Sequence, residues 1–312
     1  MALEIINQER FTSRLNHLLQ TGAFSTIPNT RGIPHAVGRM LRRWEESRIH
    51  SIDRISTITR YVDLKADRTQ RILHEYDDSA IPSFEFIPSS PEGYHHSLRD
   101  SNGTILAYRF RYPTNHLTML YDTQPLLPNP ISDSTVRGIF SKRHYALWAD
   151  YSPDIRQSSQ YRDDLPQAEE WLLHNGPLFD YLSHNLRMIH PEMYVKFTSI
   201  DGFLPDNLNR MAGAWHGLAV NQGMEPGTAR TATHIDWLDY MRGFNAVVPW
   251  GNYEGGNLIL LQAQVVYELR PGDCLFFRGG IMAHKVSDVT DGVRHSLDLF
   301  CHKSTFDWLR RQ

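Results

Sequence analysis

The 312-residue chain has few cysteines and no sequence pattern typical of a membrane-spanning helix or a secretory signal. It contains two cysteines, Cys274 and Cys301, and both lie in apolar runs, which favours buried free thiols in a reducing compartment over a disulfide. No apolar stretch reaches the length of about 20 residues that a membrane-spanning helix needs. The N-terminus lacks the basic-then-apolar pattern of a secretory signal, so we expect a cytoplasmic protein without a membrane partner.

The chain also lacks an excess of charge of either sign. Lys and Arg together number 32 and Asp and Glu 35, for a formal net charge of −3. Such a balance does not draw a protein to a polyanion, although it allows a local basic face. Charged residues make up 21% of the chain and hydrophobic residues 41%, which is typical of a globular protein and not of a disordered one.

The chain divides into two parts that differ in their predicted secondary structure. Residues 1–160 are predicted to form an N-terminal extension, with a hairpin over 94–112, an amphipathic helix over 4–20, a second helix over 36–48 and a polar, mixed segment over 51–75 that is also expected to be helical. Residues 161–312 begin with helices near 166–174 and 178–189. Short strands separated by Gly and Pro turns follow, at 214–220, 244–250, 257–261, 265–269, 274–278, 283–286 and 294–302. This pattern predicts an α+β protein with a jelly-roll-like core and a helical N-terminal half packed on it.

The segment from residue 31 to residue 71 is rich in arginine. Arg39, Arg42 and Arg43 recur at helical spacing beside Trp44, an arrangement that can contact phosphate groups. Acidic residues are interleaved with them, so a solvated helix face is the favoured interpretation and a nucleic-acid contact is the alternative.

The most informative pattern is His234-Ile235-Asp236, which is followed much later by His284. Residues i and i+2 of an extended chain project from the same face, so His234 and Asp236 can reach one ion. A second strand would supply His284. Two imidazoles and one carboxylate hold Fe(II) on one face and leave coordination positions open for a co-substrate and dioxygen. A zinc hydrolase could use the same three ligands.

Arg294 and Ser296 lie in the strand predicted after His284. Their spacing again places a guanidinium and a hydroxyl on one strand face, where together they can hold a carboxylate. A zinc hydrolase would leave this pair without a role. The pair therefore favours an oxygenase with an anionic co-substrate.

These motifs resemble those of the Fe(II)/2-oxoglutarate dioxygenase superfamily over roughly residues 165–304. The segments that carry the resemblance are His234-Ile235-Asp236, Gly255-Gly256-Asn257-Leu258, Arg270-Pro271-Gly272-Asp273, His284 and Arg294-His295-Ser296. The resemblance implies a double-stranded β-helix core of the cupin-like, jelly-roll kind. It implies Fe(II) held by His234, Asp236 and His284. It further implies 2-oxoglutarate with its far carboxylate on Arg294 and Ser296, and dioxygen as the other co-substrate.

Shorter segments of the sequence are similar to those of fungal members of the branch that contains the TET and JBP nucleobase oxygenases. The segments that carry this similarity are His190-Pro191-Glu192-Met193-Tyr194, Asn221 and His234-x-Asp236-x-x-Asp239. The resemblance implies that Asn221 helps to hold the co-substrate.

Four further residues are candidates for the substrate pocket. Trp215 and His216 lie on the strand predicted to enter the core, and they could line the pocket or simply pack in the core. Arg230 precedes the iron motif and could meet an anionic substrate, although a surface arginine is the favoured interpretation. Asp239 follows the motif and could line the pocket or support an iron ligand.

The favoured function is hydroxylation, or a related C–H oxidation, of a small organic substrate of the kind found in secondary metabolism. The alternative is a nucleobase oxygenase acting on flipped 5-methylcytosine or thymine, which would be a nuclear protein. The third hypothesis is a non-catalytic ligand-binding protein of the same fold, against which the intact ligand set argues.

Overall fold

A computed structural model describes most of the chain beyond residue 77. The described residues are 57–62, 78–89, 94–100, 102–129, 134–135, 138–139, 141–149, 152–223 and 230–312. The helices expected over 4–20 and 36–48 lie outside this part of the chain. None of the helices within it is long and apolar enough to cross a membrane.

The expected helix over residues 51–75 is wrong where the structure describes it, because Thr57–Val62 is a strand. This segment reads Thr-Ile-Thr-Arg-Tyr-Val, and β-branched and aromatic residues of this kind favour the extended conformation. It pairs in parallel with the strand that begins at His95. Tertiary pairing and local preference therefore agree on a strand here.

Fifteen strands are assigned in the described residues. They are β1 (Thr57–Val62), β2 (Glu85–Ile87), β3 (His95–Asp100), β4 (Ile105–Arg111), β5 (Ser134–Thr135), β6 (Gly138–Ile139), β7 (Ser141–Trp148), β8 (Arg156–Gln157), β9 (Gly217–Gln222), β10 (Asn245–Gly255), β11 (Leu258–Leu260), β12 (Val265–Tyr267), β13 (Asp273–Phe277), β14 (His284–Val286) and β15 (Val289–Phe300).

Six α-helices accompany the strands in the described residues. They are α1 (Thr114–Thr123), α2 (Ser159–Asp163), α3 (Gln167–His174), α4 (Gly176–Ile189), α5 (Pro191–Thr198) and α6 (Lys303–Leu309), and short 3-10 helices span Asp78–Ser83, Gln124–Leu126 and Ser199–Gly202. The helices predicted near 166–174 and 178–189 are confirmed as α3 and α4, and the predicted hairpin as β3 and β4.

Two sheets pack face to face. The large sheet has the strand order β1-β3-β4-β13-β10-β15-β9-β7-β8, and the small sheet has the order β14-β11-β12-β2. All neighbouring pairs are antiparallel except β1 with β3 and β12 with β2. Leu98, Val247 and Leu275 of the large sheet share a buried cluster with Leu258 and Leu260 of the small sheet. The α+β class with a jelly-roll core is confirmed.

The other face of the large sheet carries the helices. Leu178, Leu182 and Leu186 recur at four-residue intervals along one side of α4, and all three are fully buried. They share a second cluster with Leu218 of β9 and Leu297 of β15. The helices thus cover one face of the sheet and leave its opposite face to the small sheet and to the space between the sheets.

The predicted boundary at residue 160 stays a prediction. Strands β3, β4 and β7 precede it, yet they are hydrogen-bonded into the same sheet as β9, β10, β13 and β15. The two parts therefore share one sheet wherever the structure describes them.

We expect Leu218→Ala to lower the free energy of unfolding by about 2–5 kcal/mol, because it removes a fully buried side chain from the cluster under the helices. Leu173→Ala is the matched control, since Leu173 is 77% exposed, and it should change stability by less than about 0.5 kcal/mol. Urea unfolding measures both, and equal effects would contradict this placement of the core.

Candidate metal centre and pocket

The three predicted iron ligands lie at one end of the space between the sheets. His284 begins β14, and its backbone pairs with that of His234 through hydrogen bonds of 3.0 and 2.9 Å in opposite directions. The amide of Asp236 donates to the carbonyl of Gly279 at 3.0 Å, which turns the chain back towards the two histidines. One ligand atom from each of the three side chains lies within 4.8 Å of the other two.

Hydrogen bonds fix the orientation of both imidazoles. Nδ1 of His234 lies 2.7 Å from the carbonyl of Ala232, and Nδ1 of His284 lies 2.8 Å from the carbonyl of Met282. A carbonyl only accepts, so each Nδ1 carries the proton and each Nε2 keeps its lone pair. Those Nε2 atoms face the Asp236 carboxylate at 3.7 and 3.4 Å. Lone pairs and a carboxylate that converge in this way fit a divalent cation between them.

Asn245 supports the carboxylate of Asp236. Its Nδ2 donates to Oδ2 of Asp236 at 3.3 Å and to Oδ2 of Asp239 at 2.7 Å. A Cβ at Gly279 would lie 2.9 Å from both Asp236 Oδ2 and Asn245 Cγ, so glycine leaves the space that this arrangement needs. Sequence reasoning missed Asn245, because a single asparagine at the start of a strand belongs to no motif.

Arg294 is buried on β15, with 4% of its surface exposed. Its Nε and Nη2 have no hydrogen-bond partner in the described part of the chain. A Cβ at Gly256, whose φ is +61°, would lie 2.5 Å from Cδ of Arg294, so this glycine makes room for the arginine. Two buried guanidinium nitrogens without partners are costly, and a carboxylate that accepts from both would satisfy them. The site therefore fits the far carboxylate of 2-oxoglutarate.

The predicted partners of Arg294 lie on the same face of the large sheet. Ser296 pairs in register with Asn221 of β9, and Asn221 pairs with Lys142 of β7. Nδ2 of Asn221 is 3.3 Å from Oγ of Ser296 and donates to Oδ2 of Asp298 at 2.6 Å. The structure thus brings Asn221 and Ser296 together and adds a carboxylate that sequence reasoning missed.

A pocket of about 610 Å³ opens between the sheets beside these residues. The candidate metal ligands, Arg294, Ser296, Asn221 and Asp239 all line it. Strand β7 contributes Lys142, His144 and Trp148 to one wall. Phe300 and His302 continue that wall at the end of β15. The pocket therefore combines aromatic rings with many polar and charged side chains.

Asp298 has an unusual environment for a carboxylate. Burial raises its pKa to about 6, and the negative charge of the nearby Asp236 acts in the same direction. The positive charges of Arg294 and Lys142 and a hydrogen bond from Asn221 lower the pKa. The carboxylate lies in the wall of the pocket. The alternation of β15 could have pointed to it, because Asp298 continues the series that Arg294 and Ser296 begin.

Two candidate substrate residues lie in the core, which was the alternative interpretation of them. Trp215 is fully buried, and its Nε1 donates to the carbonyl of Phe244 at 2.8 Å. His216 is fully buried between Oγ1 of Thr305 at 2.7 Å and the carbonyl of Phe197 at 2.8 Å. Burial lowers the pKa of His216 to about 3. Both side chains complete the core under the helices and do not reach the pocket.

Arg230 and Asp239 differ in their placement. Arg230 is exposed, and its Nη1 lies 3.6 Å from Oδ1 of the exposed Asp288, so it is a surface arginine outside the pocket wall. Asp239 lies in the wall and accepts the hydrogen bond from Asn245. Its backbone also bridges to His302, which links the iron motif to the end of β15.

No protein-family model and no curated protein matches this chain. Solved structures do match. NgTET1 in complex with 5mC DNA aligns with a TM-score of 0.50 at 17% identity, over 71% of this chain and 83% of that one. A 2OG-Fe(II) oxygenase family protein from Burkholderia pseudomallei aligns with a TM-score of 0.37 at 17% identity, over 61% and 79%. The collagen prolyl hydroxylase of Paramecium Bursaria Chlorella virus-1, in its 2OG complex, gives 0.34 at 10% identity, over 62% and 94%.

The likeness to NgTET1 shows a shared fold. It agrees with the α+β architecture and jelly-roll core described above. At 17% identity the likeness does not extend to substrate.

We expect Asn245→Ala to weaken the binding of Mn(II) by about 10- to 100-fold, because the carboxylate of Asp236 loses the hydrogen bond that orients it. Asn252→Ala is the matched control, since Asn252 lies on the same strand with an exposed side chain. Titration of each metal-free protein, followed by the electron paramagnetic resonance of free Mn(II), measures the affinity. Equal affinities in the two variants would contradict the role of Asn245.

We expect Asp298→Asn to stabilise the metal-free protein in a pH-dependent manner. The pKa of Asp298 is about 6 in the folded protein against an ordinary value of 3.8, so the folded state loses stability as the pH rises through this window. The substitution should therefore raise the free energy of unfolding by an amount that grows from about pH 4 and levels off above about pH 6, at no more than about 3 kcal/mol. Urea unfolding between pH 4.5 and 7.5 measures it. A gain that does not vary with pH, or one shared by Asp291→Asn at an exposed position of β15, would contradict this assignment.

Proposed function

We propose that the protein is an Fe(II)- and 2-oxoglutarate-dependent dioxygenase that oxidises a C–H bond of a small organic substrate, by hydroxylation or a related reaction. One observation carries the proposal. A converging set of two Nε2 lone pairs and a carboxylate shares a pocket with a buried arginine that has unpartnered nitrogens. A zinc hydrolase would use the first feature and leave the second unexplained.

The metal would be held by His234, Asp236 and His284. When bound, Fe(II) supplies the activation of dioxygen that is coupled to the decarboxylation of 2-oxoglutarate to succinate. The carbonyls of Ala232 and Met282 keep both Nδ1 protons in place, so the two Nε2 atoms stay available as ligands. Asn245 orients the third ligand through its hydrogen bond to Asp236.

The co-substrate would be held by its far carboxylate. Arg294 offers Nε and Nη2, and Ser296 offers a hydroxyl two residues further along the same strand face. Asn221 lies beside Ser296 and holds that part of the wall in position. The apolar side chains of Val247, Leu258 and Phe277 line the same pocket.

The dimensions of the pocket support a small-molecule substrate. A volume of about 610 Å³ lies within the range of about 300–1,000 Å³ that ligand pockets occupy. The net charge of −3 gives the chain no general attraction to a polyanion. We therefore favour a freely diffusing organic molecule over a nucleic acid.

A nucleobase oxygenase is the second candidate. NgTET1, which has the same fold, was solved in complex with 5mC DNA. The rings of Trp148, Phe300 and His302 line the pocket here, and they could stack on a base that leaves its duplex, while Lys142 and Arg156 could meet its phosphate.

Two signals test the proposed activity. The anaerobic Fe(II) protein should develop a visible charge-transfer band when 2-oxoglutarate is added, and the aerobic protein should release succinate. His234→Ala should lose both signals, because one metal ligand is gone. His174→Ala, at an exposed position, should keep both. Arg294→Leu should raise the 2-oxoglutarate concentration for half-maximal succinate release by about 10- to 100-fold, because a charge-assisted pair is lost.

A wild-type protein that binds Fe(II) but gives neither band nor succinate would contradict the proposal. Succinate release stimulated by a 5-methylcytosine duplex, with binding that weakens steeply as salt is raised, would select the second candidate. A duplex that fails to bind at low salt would exclude it.

A further inference from the structure

Asp298 occupies a defined place in the pocket. Every second residue of β15 from Arg294 to Phe300 lines the wall, because alternate side chains of a strand leave the same face. Arg294 and Ser296 form the anionic co-substrate site described above. Asp298 comes next and Phe300 follows it, so the carboxylate lies between the co-substrate end of the pocket and its aromatic end.

In the described part of the chain one hydrogen bond reaches this carboxylate, and the charges of Arg294 and Lys142 act on it from nearby. Asn221 donates one hydrogen bond to its Oδ2, whereas an ionised carboxylate can accept about four. The residues in register with it on the neighbouring strands are Val247 and Ala219, whose side chains donate nothing. A neutral asparagine or serine could accept the bond from Asn221 equally well. The cost of placing a carboxylate here therefore calls for another partner.

Four aromatic rings lie close together at one end of the pocket. His144 lies 6.2 Å from Trp148 and 6.1 Å from Phe300, measured between ring centroids. Trp148 in turn lies 6.1 Å from His302. All four rings line the pocket, and Ala219, in register between Asp298 and His144, is too small to separate the carboxylate from them. Rings beside a carboxylate suit a ligand that carries an amine on an apolar or aromatic body.

We propose that Asp298 determines substrate specificity by accepting an N–H of an amine-bearing substrate whose apolar body lies among His144, Trp148 and Phe300. The proposal rests on the function proposed above and narrows its substrate class. Asp298 acts by binding and orienting the substrate, and it takes no part in holding the metal.

Benzylamine and benzyl alcohol are the probes, since they differ chiefly in the amine. Calorimetric titration at pH 7.5 into the anaerobic protein loaded with Mn(II) and 2-oxoglutarate should give at least about tenfold tighter binding of the amine, as expected for a hydrogen bond to a charged group. Asp298→Asn should bring the ratio of the two dissociation constants close to one. Asp291→Asn should leave the ratio unchanged, because Asp291 is exposed on the same strand.

A wild-type ratio near one, or no binding of the amine, would overturn the proposal. So would an Asp298→Asn variant that keeps the wild-type ratio and melts as a folded protein. If that variant does not fold, Asp298→Ser replaces it and the same ratio decides. Succinate release by the wild-type protein is a separate measurement, so a failure of amine selectivity is distinguishable from a failure of the oxygenase proposal.

Discussion

The candidate metal centre depends on one backbone interaction, the antiparallel pairing of His234 with His284. The two reciprocal hydrogen bonds attach the iron motif to the edge of the small sheet and bring the two ring centroids to within 4.3 Å. Because Asp236 follows two residues after His234, the same pairing also sets the position of the carboxylate. Without it, His284 would lose its backbone link to the segment that carries His234 and Asp236.

Strand β15 organises the rest of the pocket. It lies between β10 and β9 in the large sheet, so one of its faces packs beneath the helices through Leu297 and Leu299 while the other faces the small sheet. The second face carries, in order, a guanidinium, a hydroxyl, a carboxylate and an aromatic ring. A shift of one residue in register would exchange these faces and place polar groups in the core. The burial of the apolar face thus fixes the register of β15 and with it the positions of the four side chains on its other face.

The same pocket holds groups that are costly for stability. Arg294 has buried nitrogens without partners, and Asp298 is a carboxylate whose pKa burial raises to about 6. Natural proteins depart from full polar satisfaction chiefly where a ligand is to be bound, and the surrounding core offsets the cost. The fully satisfied His216, held on both ring nitrogens and distant from the pocket, shows the contrasting arrangement of a structural histidine.

The sequence by itself determined the features that depend on local geometry. The i, i+2 spacing of His234 with Asp236 and of Arg294 with Ser296 follows from the alternation of extended chain, and the turn residues marked most of the core strands. It did not determine which side chains face one another across strands, because register is set by long-range pairing. Asn245 and the ring of His144 therefore emerged only from the tertiary structure, whereas the alternation of β15 already places Asp298 on the same face as Arg294 and Ser296. For the same reason the sequence left open whether Trp215 and His216 line the pocket or the core. The layer that packs against a residue beside a strand decides which of the two it enters.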